Sequence, residues 1–123
     1  MKCTAKPNII IEGLAQVENG SRYSYTGAYS NTDSNEKVAT YSFDIYDVNK
    51  QLYESSGELL HNAENNTDIT NSHDTWTPTK SLVPGELYTI IYSITTVNGL
   101  KDKTIEYQIR DSQLIAPPTW FDG

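Results

Sequence analysis

One cysteine, one methionine and two phenylalanines in 123 residues leave little material for several kinds of chemistry. Cys3 has no second thiol to pair with, so an intramolecular disulfide, a dithiol redox motif and a cysteine-based zinc site are all excluded. Cations are scarce too: nine Lys plus Arg stand against sixteen Asp plus Glu, for a formal charge of −7 and a pI near 4.6. A surface of that sign repels phosphate backbones, and no nucleic-acid partner is expected. No run of about eighteen apolar residues is present to cross a bilayer, so no membrane partner is expected either. Met1 to Pro7 lacks the apolar core of a signal peptide, which places any export signal elsewhere. Finally, no stretch repeats its apolar residues every three to four positions over helical length.

What the chain does have is tyrosine, nine of them, and apolar residues that alternate at period two. A length of 123 residues suits one domain, and a chain of this size buries roughly two-thirds of its unfolded surface, enough for a core without staples. The first strand is expected over 8–17, with Ile9 and Ile11 on one face, Ile10 on the other and an irregularity at Gly13. After the turn at Glu18 to Ser21, a second strand over 22–29 carries Tyr23, Tyr25 and Tyr29 on a common face. Ser30 to Glu36 reads as a loop, and Val38 opens a third strand with Tyr41, Phe43 and Ile45 inward and Ser42, Asp44 and Tyr46 outward. A shorter strand follows over 51–54, and Ser55-Ser56-Gly57 breaks it before Glu58-Leu59-Leu60-His61. The stretch 61–72, with Asn62, Asn65, Asn66 and Asn71, has no periodicity and reads as a mobile loop. Further strands are expected over 74–80 around Trp76, over 87–97 with Tyr88, Ile90, Tyr92 and Ile94 on one face, and over 104–110 through Ile105, Tyr107 and Ile109. Asn98-Gly99 is the hairpin turn between the last two. The pattern predicts an all-β, seven-stranded antiparallel sandwich over 8–111, preceded by a flexible segment 1–7 and followed by a linker-like segment 112–123 stiffened by Pro117-Pro118.

The run Leu82-Val83-Pro84-Gly85-Glu86-Leu87-Tyr88-Thr89-Ile90 resembles the L-x-P-G-x-x-Y-x-V signature of fibronectin type III domains. The similarity extends over about Pro7 to Arg110, with the motif itself confined to the last third. It implies that the Tyr88 ring enters the core while its hydroxyl bonds to backbone a few residues upstream. It also implies that Leu82 plugs the end of the sandwich and that Pro84-Gly85 makes the turn. The chain departs from the family in three places. Its second strand offers Tyr23 or Tyr25 where a tryptophan is usual, Trp76 and Pro78 sit one position out of phase, and 61–72 is a longer polar insertion. An immunoglobulin-like sandwich is the nearest alternative fold. Pro7 to Ile11 and Ala116 to Thr119 resemble the ends of modules strung in tandem on phage tail or bacterial surface proteins. That resemblance implies a non-catalytic spacer, adhesion or attachment module in a virion or at a cell surface, partnered by neighbouring domains or subunits of the same assembly.

Candidate chemistry is thin. The only imidazoles, His61 and His73, lie in polar sequence without a nucleophile elbow, so the chain is not expected to be an enzyme or to hold a cofactor. Glu54 and Glu58 are carboxylates that nothing places across a cleft. Asn31, Asp33 and Asn35 recur like the opening of a calcium loop, but Glu36 stands where such a loop needs Gly and Ser42 where it needs Glu, and an asparagine-rich turn is preferred to a metal site. Asn19-Gly20-Ser21 and Asn65-Asn66-Thr67 fit the glycosylation acceptor pattern. The alternative functional reading, carbohydrate or host-surface binding, rests on Tyr23, Tyr25, Tyr29, Tyr46, Tyr53 and Trp76 as an exposed aromatic platform for a surface glycan. Packing and cross-strand pairing account for tyrosines in sheets equally well.

Overall fold

A computed structural model describes residues 8–12, 16–17, 24–104 and 106–111. In chain order its strands are β1 (Asn8–Glu12), β2 (Gln16–Val17), β3 (Tyr25–Ser30), β4 (Val38–Tyr46), β5 (Leu52–Ser55), β6 (Leu59–Leu60), β7 (Asn66–Asp68), β8 (Asn71–Trp76), β9 (Leu87–Thr96), β10 (Lys101–Lys103) and β11 (Tyr107–Asp111). A single 3-10 turn, Ala63–Asn65, precedes β7. Two sheets result. The smaller runs β1-β3-β8-β7; the larger runs β2-β11-β9-β4-β5, with β6 also paired to β4 and β10 to β9.

Alternation at period two does the sorting, because successive side chains on a strand point to opposite faces. On β9 the inward set is Tyr88, Ile90, Tyr92, Ile94 and Thr96, each buried, while the residues between them are half-buried on the outer face. β3 alternates likewise, with Tyr25, Gly27 and Tyr29 inward. Phe43 and Ile45 of β4, Ile109 of β11 and Leu82 complete the layer between the sheets. Phe43 joins the two sheets through its ring, stacking on Trp76 of β8 at 5.7 Å between centroids. It also lies 4.9 Å from the ring of Tyr92.

Strand direction defines two poles. β1 starts opposite Ser30, and the upper pole at that end holds the 31–37 loop, the β7–β8 turn and the β9–β10 hairpin. β11 runs downward, Arg110 pairing with Leu87 at the start of β9, so the lower pole holds the end of β11, the β4–β5 turn and the 77–86 segment. The first and last described strands therefore meet opposite ends of the sandwich.

Several expectations are revised. The strand expected over 8–17 is two pieces in different sheets: β1 pairs with β3, whereas β2 pairs with β11, and in parallel, an exception in an otherwise antiparallel fold. Gly13 lies outside the described residues, as do Tyr23, the 18–21 turn and the 112–123 segment. The strand expected at 74–80 is displaced to Asn71–Trp76, the final strand starts later than expected, at Tyr107, and a separate short strand, β10, precedes it. The stretch 61–72 is not a structureless loop. It contributes the 3-10 turn, with the Asn62 side chain accepting from the Glu64 N–H at 2.9 Å, and then β7, which extends the smaller sheet.

Candidate functional site

At the lower pole the chain turns through Gly85, whose φ of 83° is the left-handed conformation that favours glycine. Leu82 and Tyr88 are buried, Pro84 and Gly85 exposed. The Tyr88 hydroxyl accepts the Val83 N–H at 2.9 Å, closing a five-residue corner. Tyr53 belongs to the same assembly. Its ring lies 4.9 Å from that of Tyr88, its hydroxyl donates to the Ser81 carbonyl, and Lys80 Nζ sits 5.2 Å over the ring. Burial raises its phenol above the ordinary range. Beside it, the Glu54 carboxylate accepts from the Thr79 N–H, the Thr79 hydroxyl and the Lys80 N–H, each at 2.9 Å. Partial burial works to raise the Glu54 carboxyl, yet these donors together with the Lys80 charge hold it below its usual value. Glu58 accepts from Thr40 instead, so the two glutamates serve different contacts and form no pair.

Two of the six aromatics named for the platform are unavailable to it, and Tyr23 lies outside the described residues. Tyr25 and Tyr29 are each 2% exposed, turned into the inter-sheet layer. The Tyr29 hydroxyl accepts from Asn31 Nδ2 at 2.8 Å, and burial raises its phenol despite that bond. Trp76 is half-buried against Phe43. The physical reason is the inward set of β3: residues 25, 27 and 29 fall on the core face, where large rings fill the space between sheets. Tyr46 is half-buried and lines an open groove. That groove has a volume of about 200 Å³ and is shared with Asp47, Lys50, Thr89, Ile91 and Glu106 on the outer face of the larger sheet.

The calcium-like spacing has a local explanation. Asn31 Oδ1 accepts the Asp33 N–H and Asp33 Oδ1 accepts the Asn35 N–H, both at 2.9 Å, two successive side-chain turns that produce an every-second-residue pattern. Among the described residues no three His, Cys, Asp or Glu side chains cluster to hold a metal.

Sequence reasoning missed the polar centre. Asp74 on β8 is fully buried; its Oδ1 lies 2.7 Å from His61 Nδ1 and its Oδ2 accepts from the Tyr92 hydroxyl at 2.7 Å. His61 Nε2 lies 2.8 Å from Asn66 Oδ1. Burial, then the Asp74 carboxylate, pushes the Tyr92 phenol far upward, so it serves as a fixed donor. The Tyr92 ring reaches this position because Gly27, paired directly with Asp74, has no side chain: a Cβ there would stand 2.3 Å from the ring. Both sheets and the 61–66 segment thus meet at one buried carboxylate. With both imidazole nitrogens engaged, by Asp74 and by Asn66, the arrangement fastens the two sheets and the 61–66 segment to one another. His73 stands opposite Ala28 on the smaller sheet, half-buried and away from this cluster.

No protein-family model matches the chain, and no curated protein matches it. Among solved structures it is similar to the CARDB domain of the PF1109 protein from Pyrococcus furiosus, determined in complex with di-metal ions. The identity is 15% and the TM-score 0.51, over 88% of this chain and 89% of that one. A Bordetella pertussis protein designated ApaA is similar at 15% identity and a TM-score of 0.42, over 87% and 93% of the two chains. The first likeness concerns the fold, an immunoglobulin-like β-sandwich.

Proposed function

We propose that this immunoglobulin-like sandwich is a non-catalytic spacer and joining module, of fibronectin type III character, in a multidomain protein of a virion or a bacterial cell surface. One observation carries the reading: β1 begins at the upper pole and β11 ends at the lower, so the module adds its full length to any chain running through it. The closed corner of Val83 and Tyr88 supports the fibronectin-like form, and the committed ring nitrogens of His61 leave no catalytic base there. The metal ions of the Pyrococcus domain are not carried over, because Asp33 and Asn31 spend their oxygens on turns and no acidic or imidazole cluster stands elsewhere among the described residues. Neighbouring modules or subunits are the partners this reading requires.

A second reading retains one observation. The Tyr46 groove, with Asp47, Lys50 and Glu106 around an aromatic ring, has the chemistry of a single sugar subsite. The two readings part under one pair of experiments. Two copies of the full chain joined in tandem should scatter X-rays as an elongated particle of nearly twice the single-copy length, and the single chain should give no binding on a glycan array. A folded-back pair overturns the spacer, and glycan binding abolished by Tyr46→Ala installs the second reading.

A further inference from the structure

β8 turns two polar side chains into the layer between the sheets, Ser72 and Asp74, and they are treated differently. Asp74 has a partner for each oxygen: His61, and Tyr92 reaching across from the larger sheet. Ser72 is 8% exposed, and its Oγ has no hydrogen-bond partner among the described residues. A serine hydroxyl stands one carbon from its backbone, whereas stacked sheets lie about 10 Å apart, so the side chain cannot span the layer. A buried hydroxyl left unpaired is costly and rare in folded proteins, which points to a small polar molecule beside it.

The space for such a molecule is present. Ser72 and Tyr29, directly paired on neighbouring strands, line one side of a cavity, and Val38 of β4 lines the side of the larger sheet. Glu36 and Thr70 reach it from the loop and turn at the upper pole. Its volume of about 10 Å³ suits one water molecule and excludes an organic ligand. The walls also offer the right chemistry. The Tyr29 hydroxyl accepts from Asn31 Nδ2 at 2.8 Å, which leaves its own proton to be donated. Burial keeps that phenol protonated by raising it above its ordinary range. Ser72 Oγ can both give and accept a proton, so two hydroxyls converge on the space, the minimum that holds a buried water. A metal ion lacks its ligand set, since no three His, Cys, Asp or Glu side chains cluster among the described residues.

We propose that this cavity is a structural hydration site, binding one water molecule that bonds Ser72 Oγ and takes the proton of the Tyr29 hydroxyl. A polar chain then runs from Asn31 through Tyr29 and the water to Ser72, tying the 31–37 loop to β8 inside the sandwich. It lies beside the backbone bond from the Asn31 N–H to the Thr70 carbonyl, which closes the same end from outside. The site is independent of the spacer reading.

A high-resolution crystal structure of the full chain should show one water oxygen within about 3 Å of both Ser72 Oγ and the Tyr29 hydroxyl. Oxygen-17 magnetic relaxation dispersion then counts, in solution, the waters that the protein holds for longer than it tumbles. Ser72→Val removes the hydroxyl and fills the space, so the dispersion amplitude should fall by one water per chain. If valine prevents folding, Ser72→Ala is the second variant; the same loss is expected, because the water keeps too few partners. An empty cavity in the crystal, a Ser72 hydroxyl bonded to protein instead, or contacts as short as a metal ion's would each overturn the site. So would an amplitude left unchanged by whichever variant folds.

Discussion

Tyr88 and Tyr92 stand four residues apart on the same face of β9, and both rings are buried. Around Tyr88 the partner is local and neutral: a backbone N–H five residues upstream, near the rim of the layer. Around Tyr92 the partner is remote and charged, the carboxylate of Asp74, which is shared with His61. The corner shapes a turn, and the buried network ties two sheets and a crossing segment together. A hydrogen bond to a buried charge is worth about twice a neutral one, and a charge stripped of its partner inside a protein costs more again. The two regions should therefore answer mutation very differently.

The most severe break in the comparison is Asp74→Ala, which leaves His61 and the Tyr92 hydroxyl facing an apolar gap. It should cost about 4 kcal/mol in urea denaturation, and a loss below 1 kcal/mol would mean the network does not hold the sheets. Gly27→Ala acts on the same region from behind. Its Cβ must displace the Tyr92 ring, so a loss of about 3 kcal/mol is expected, while the equivalent Gly85→Ala change at the corner meets open space and pays only for its positive φ. Tyr92→Phe removes only the donor and should cost about 2 kcal/mol, against about 1 kcal/mol for Tyr88→Phe. Equal losses in the two phenylalanine variants would erase the distinction. The smallest effect belongs to Glu54. Its lowered carboxyl contributes stability that is fully present above the ordinary glutamate range near 4.3. That share disappears as pH falls through its lowered value, so Glu54→Gln should lower stability slightly at neutral pH, leave it nearly unchanged below that value, and thereby flatten the acid limb of a stability profile.

The same contrast explains what could be read from sequence. Alternation over Leu87–Thr96 exposes the inward face of β9 directly, and the corner is written within seven consecutive residues, Leu82 to Tyr88, so both are visible without coordinates. The network is written across 61, 66, 74 and 92, with no spacing that distinguishes a buried aspartate from a solvated one. His61, Asn66 and Asp74 look polar and therefore exposed, which is why 61–72 reads as loop. Asn66 is indeed exposed, but Asp74 and the His61 side chain are buried where Tyr92 arrives from the other sheet through the space left at Gly27. Tyr25 and Tyr29 illustrate the reverse error: nine tyrosines suggest a wet face, but register against β8 turns these two inward. The change of sheet between β1 and β2 leaves no mark beyond Gly13, since either piece alone reads as the same strand.

Pulling a single chain by its two ends tests the central claim most directly. Force applied pole to pole loads β1 against β3 and β11 against both β9 and β2 along the strand direction, so their hydrogen bonds must fail together. The account predicts one abrupt rupture that releases roughly 350 Å of chain. A series of small low-force steps, the strands peeling away bond by bond, would contradict a module built to carry tension from one pole to the other.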